Sequence, residues 1–93
     1  MDRAKFQKYL EDLTYVLGGE TKHYTSAAIQ KRLSSLAKLE AIKGFDIDSI
    51  IFSSKDVADL LDYIREKKLE NPAHQPLSNA LRHYYTCQTG KKI

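Results

Sequence analysis

The residues of this chain best placed to do chemistry are cations. Lys22, Lys31, Arg32, Lys38 and Lys43 fall in a stretch, residues 22–43, that holds a single acid, Glu40. Five cations against one acid give this stretch a net +4, more than the +3 of the whole chain. At about 100° per residue, Ile29, Leu33, Leu36 and Ala37 fall in a sector about 100° wide, the width of a core-facing stripe. Ala27, Lys31, Ser34 and Lys38 gather on the opposite side. Two cations separated by small side chains let a helix approach a phosphate backbone closely, where charge supplies the attraction. Either lysine alone is adequately explained as a solvated surface charge; the segment as a whole is harder to dismiss. Thr25 or Ser26 can cap this helix, and a helix N-terminus with Lys22 and His23 beside it suits an anion such as phosphate. The plainer expectation is that Tyr24 packs onto the helix as a staple and His23 faces solvent.

Other chemistries find little support. His23, His74 and His83 are widely spaced and make no metal-ligand pattern, and the single Cys87 forms neither an intramolecular disulfide nor a cysteine metal site. His83 and Cys87 stand four apart at one edge of a helix's buried face, so Cys87 reads as a core cysteine rather than a nucleophile. Gly18-Gly19 and Gly44 are too sparse for a phosphate loop, and no pair of carboxylates stands out as general acid and base. The expectation is a non-catalytic chain without cofactor or metal.

Length, charge and hydropathy set the frame. Residues 1–93 suggest one domain with a small core. No apolar run approaches the roughly 18 residues of a membrane span, and no signal peptide opens the chain. With one cysteine, a reducing, cytoplasmic setting is expected, without a membrane partner. The isoelectric point near 9.0 is compatible with an acidic partner without demanding one. The basic stretches are the second and the last, at 22–43 and 71–93, separated by an acidic one with seven acids against four bases at 46–70. If the basic stretches meet in space they form one positive face.

Periodicity predicts four helices that hold these residues: about 2–17, 26–42, 54–69 and 76–88. Phe6, Tyr9, Leu10, Leu13, Val16 and Leu17 mark the first, capped by Asp2 and ended by Gly18-Gly19. Lys43-Gly44 ends the second. Phe45, Ile47, Ile50, Ile51 and Phe52 are too apolar for an idle loop and predict a short helical turn or an extended clamp over the core, since no other stretch reads as a strand partner. Ser53 or Ser54 caps the third helix, with Val57, Leu60, Leu61 and Ile64 inward and Asp59, Asp62 and Glu66 outward. Pro72 and Pro76 break the pattern, and Pro76 opens the last helix. There Leu77, Ala80, Leu81 and Tyr84 face inward, with Tyr85 and Cys87 at the edges and Asn79, Arg82 and Thr86 outside. Residues 89–93 read as a flexible tail or the start of a linker. The fold class expected is all-α: a small four-helix bundle with a short fifth element.

Two of these helices carry a resemblance. Tyr24-Thr25-Ser26-Ala27-Ala28-Ile29, continuing to Leu33 and Leu36, resembles the S-x-x-T-x-x-x-Y-x-x-x-L helix of core-binding domains. Pro76-Leu77-Ser78-Asn79-Ala80-Leu81-Arg82-His83-Tyr84-Tyr85 resembles their closing S-x-A-L-r-x-Y helix. These are the SAM-like four-helix modules at the front of tyrosine recombinases and phage integrases, and similar modules precede nuclease domains in some restriction enzymes. The resemblance covers most of residues 4–86. It departs at the tyrosine usual within the second helix, where Leu33 or a neighbour stands, and no recombinase catalytic constellation follows. It implies a module that clamps one side of a DNA duplex through its backbone. By position, the contacts it implies are Lys22, Thr25, Ser26, Lys31 and Lys38 from the second helix and its entry, and Asn79 and Arg82 from the last.

The expected function is therefore a DNA-binding module, with any catalytic domain fused or associated from outside this chain. The alternative is a small protein-interaction or regulatory module of phage or plasmid origin, with Tyr15, Tyr63 and the apolar 45–52 stretch as anchors.

Overall fold

The computed structural model describes residues 1–49 and 53–91. Four helices carry the structure: α1 (Arg3–Asp12), α2 (Ser26–Lys43), α3 (Ser54–Glu66) and α4 (Pro76–Thr89). Between the first two lies an antiparallel hairpin of β1 (Thr14–Leu17) and β2 (Glu20–His23). The chain is mostly helical with a small two-stranded sheet, which corrects the all-α expectation.

The correction lies in residues 13–23. Leu13 is extended, at φ −70° and ψ 142°, so α1 stops after Asp12 instead of running to Leu17. Thr14-Tyr15-Val16-Leu17 is rich in β-branched and aromatic side chains, which fit a pleated surface. It pairs Tyr15 with Lys22 and Leu17 with Glu20. Gly18 and Gly19 both take positive φ, 62° and 82°. A two-residue hairpin turn demands this of both its central positions when it is of the type that matches strand twist. Gly-Gly can end a helix or turn a hairpin, and the strand-forming residues before it decide. Val16 and Leu17, expected inside, are instead 71% and 60% exposed.

The helix starts follow the sequence. The Asp2 carboxylate accepts from the Lys5 N–H, and the Thr25 hydroxyl from the Ala28 N–H at 3.2 Å. Ser53 and Asp56 form a reciprocal capping box, and Pro76 sits in the first turn of α4. α3 ends at Glu66, short of residue 69. Lys68 there takes φ 51°, and the Leu69 N–H donates back to the Ile64 carbonyl at 3.1 Å.

The core is built around α2 and α4, with α1 packed on both and α3 against α4. Phe6 and Leu10 of α1 meet Ile29, Leu33, Leu36 and Leu39 of α2, and Tyr84 closes on Phe6 edge-on with ring centroids 5.0 Å apart. Such a ring pair contributes about 0.5–1.5 kcal/mol beyond area burial. The Tyr84 hydroxyl is tied on three sides. It accepts from the Asp2 N–H at 2.9 Å and from Gln88 Nε2 at 2.6 Å, and donates to Asp48 at 2.5 Å. Burial, then the Asp48 hydrogen bond, pushes its pKa above the usual phenol value. Tyr85, expected at an edge, is buried, while Ala37 and Leu61, expected inside, are half-buried.

The 45–52 stretch is only partly a cover for the core. Ile47–Ser49 forms one 3₁₀ turn whose Ile47 is fully buried, and its N–H is held by Glu40 at 2.8 Å. Phe45 faces out, 57% exposed. The expectation for Ile50, Ile51 and Phe52 lies outside the described residues, as do Lys92 and Ile93 of the tail.

Candidate nucleic-acid interface

The site begins where α2 and α4 pack. Lys31, Arg32 and Ser35 of α2 and Pro76 and Asn79 of α4, with His74 from the preceding loop, line a small cleft of about 110 Å³. Lys31 and Asn79 were expected to act together from opposite halves of the sequence, and the packing of α2 on α4 brings them to one cleft. His74 is placed by a turn in which Asn71 accepts from the Ala73 N–H at 2.8 Å and bridges to His74.

Arg32 counts toward the charge of the basic stretch but is not among the contacts expected from it. Its guanidinium carbon lies 4.3 Å from the centre of the Tyr24 ring, and its Nη1 donates to the Ala28 carbonyl at 3.3 Å. Its Nε is buried with no hydrogen-bond partner. No carboxylate among the described residues lies within ion-pair distance of it. A half-buried guanidinium without a counter-charge is costly to hold, and a cleft that also carries Lys31, His74 and Asn79 offers an anion somewhere to sit. The signal in the sequence was its place on the helix wheel: Arg32 flanks the Ile29–Leu33–Leu36 stripe, where a long stem packs against core edge and a charged tip reaches out. The field of Arg32 extends to His83, whose imidazole is held below its usual value first by burial and then by Arg32. Tyr24 joins the two, with its ring 6.3 Å from that of His83 and 5.2 Å from that of Tyr15. Tyr24 is half-buried against the core and His23 is exposed, as the plainer expectation had it.

The remaining expected contacts spread around this cleft. Lys38 is exposed on α2 and shares the Lys31 face, seven residues on. Arg82 is exposed one turn after Asn79 on α4 but lines a neighbouring cleft, between α3 and α4. Thr25 has its hydroxyl committed to the α2 cap. Ser26 is exposed at the start of α2, about 140° around the helix from Lys31 at 100° per residue. Lys22 lies on β2, exposed, with its Nζ 3.9 Å from Glu20. The structure thus gathers Lys31, Asn79 and Arg32, sets Lys38 and Arg82 on either flank, and leaves Lys22, Thr25 and Ser26 near the hairpin.

The acids of α3 line a groove of their own. Asp56, Asp59, Asp62 and Glu66 of α3 line a groove of about 550 Å³ with Phe45 and Tyr63. Tyr63, expected as an exposed anchor, is half-buried there with Lys43 Nζ 4.2 Å from its ring centre. Burial also pushes the Cys87 thiol up, away from a reactive thiolate. Among the described residues no cluster of side chains is arranged to hold a metal ion, and no helix is long and apolar enough to cross a membrane.

Comparison with protein-family models, curated proteins and solved structures finds no match to this chain.

Proposed function

We propose that this chain is a DNA-binding module that grips the duplex backbone through the α2–α4 surface. The observation that supports this most directly is the cleft shared by Lys31, Arg32 and Asn79, in which a half-buried guanidinium has no carboxylate partner among the described residues. A phosphodiester oxygen supplies the missing counter-charge, Lys31 adds a second cation, and the Asn79 amide donates a hydrogen bond. Lys38 and Arg82 extend the contact to adjoining phosphates. Backbone contacts of this kind fix position without reading sequence, so affinity is modest and strongly salt-dependent. The SAM-like core-binding resemblance belongs to the same reading: a helical clamp that works beside a separate recombinase or nuclease domain, with no chemistry of its own. The double variant Lys31→Glu with Lys38→Glu tests it. Helicity by circular dichroism stays at the wild-type level and duplex binding is lost; unchanged duplex affinity sinks the proposed face.

The second reading, a protein-interaction module, draws on the hairpin, where Tyr15, Val16 and Leu17 are all exposed, and on Phe45. Concentration-dependent association in sedimentation, removed by Val16→Thr with Leu17→Thr, would favour it.

A further inference from the structure

We infer that the cleft between α3 and α4 binds a small amphiphilic anion: an anionic head on an aliphatic or aromatic body. The cleft has a volume of about 440 Å³, within the roughly 300–1,000 Å³ of small-molecule sites. Leu61, Ile64 and Pro72 give it an apolar wall, and Arg65, Lys68 and Arg82 stand around it. The one acid in the lining, Glu70, is spent elsewhere. Its carboxylate accepts from the Leu77 N–H at 2.7 Å, the Ser78 N–H at 3.3 Å and the Ser78 hydroxyl, so it closes the N-terminus of α4. Arg65 is paired with Asp62. Lys68 and Arg82 have no carboxylate within ion-pair distance among the described residues. Three cations and one acid around an apolar wall, with Lys68 and Arg82 outside any ion pair among the described residues, suit an anion with an apolar body better than a neutral or cationic one.

Lys68 adds a separate argument. It is the only non-glycine among the described residues with positive φ, 51°. It stands at the left-handed position that closes a helix, where glycine is the usual occupant because a Cβ is strained there. The other left-handed helix ends, Gly44 and Gly90, are glycines. A lysine at this position sacrifices stability and sets an ammonium group on the cleft rim, the pattern in which backbone strain accompanies function.

The inference does not depend on nucleic-acid binding, although Arg82 is common to both surfaces, and its test uses no nucleic acid. The full chain is titrated by ¹⁵N–¹H NMR with decanoate, with acetate as the head alone and with decanol as the body alone. Decanoate should give saturable shifts centred on the Ile64, Ser78 and Arg82 amides. Decanol should bind about 10-fold or more weakly, from loss of a charge-assisted contact, and acetate should give no saturable shift. Lys68→Gly should weaken decanoate about 10-fold while raising Tm, a combination that a purely structural lysine cannot produce. Arg82→Gln should weaken it comparably. Decanol binding as tightly as decanoate, shifts centred away from this cleft, or unchanged decanoate affinity in Lys68→Gly would each overturn the inference.

Discussion

Replacing Arg32 by methionine separates the two things an arginine at this position can do. Methionine keeps a long unbranched stem and a similar helix propensity, so backbone effects are small. The fold loses a cation–π contact to Tyr24, about 0.5–2 kcal/mol, and one hydrogen bond to the Ala28 carbonyl, about 0.5–1.5 kcal/mol. It is relieved of a half-buried charge with no carboxylate partner among the described residues and of an orphaned Nε, together worth about 1–3 kcal/mol. The terms nearly offset, and urea denaturation of Arg32→Met should give a stability within about 1 kcal/mol of wild type. Binding has no such offset. Loss of a charge-assisted contact to phosphate should weaken duplex affinity roughly 10-fold or more, read by fluorescence anisotropy at low salt. The His83 imidazole should also titrate nearer its usual value once the neighbouring positive charge is gone. A variant destabilised by more than about 2 kcal/mol with duplex affinity intact would refute the reasoning and make Arg32 a structural residue.

Three further outcomes follow from the geometry. His83 is held below the usual 6.5 by burial and by Arg32, so the folded state takes up its proton less readily than the unfolded one. Its contribution is therefore fully present above pH 6.5 and is lost as pH falls through the folded value; Tm measured between pH 7.5 and pH 5 should drop, and His83→Gln should flatten that drop. Gly19→Val places a β-branched residue at φ 82°, which should melt the hairpin amides in hydrogen exchange while leaving the helical unfolding transition in place, because no hairpin residue is buried. Tyr84→Phe removes the hydroxyl shared by the Asp2 N–H, Asp48 and Gln88 and should cost about 2–3 kcal/mol in urea denaturation; a loss under about 0.5 kcal/mol would mean water replaces it.

What could be read in the sequence follows from how local each signal is. The caps at Asp2, Thr25 and Ser53, the proline opening of α4 and most of the stripes of α2 and α3 are set by residues within one or two turns, and they stand in the structure as expected, with Ala37 and Leu61 only half-buried. The hairpin was missed because Val16 and Leu17 continue the helical period of Phe6, Leu10 and Leu13. Four residues of strand leave too short a run for periodicity to overrule that. At the candidate site, Lys31 and Lys38 were visible as one helix face, but their meeting with Asn79 rests on how α2 packs against α4. The separation of Arg82 into a second cleft follows from the position of α3. Arg32 was visible only as one charge of its stretch, because its significance is an absence: no carboxylate among the described residues reaches it, and a counter-charge is a property of three-dimensional neighbours. The left-handed backbone of Lys68 follows from where α3 stops, at Glu66 rather than at the expected residue 69.

The most direct test of the central proposal is the salt dependence of binding to a labelled random duplex. If Lys31, Arg32, Lys38 and Arg82 neutralise phosphates, log affinity should fall linearly with log salt at a slope of about −3 to −4. The Lys31→Glu, Lys38→Glu chain should show no duplex binding at any of these salt concentrations. No binding at low salt, or binding whose affinity is indifferent to salt, would contradict the account and leave the α2–α4 surface without the partner assigned to it.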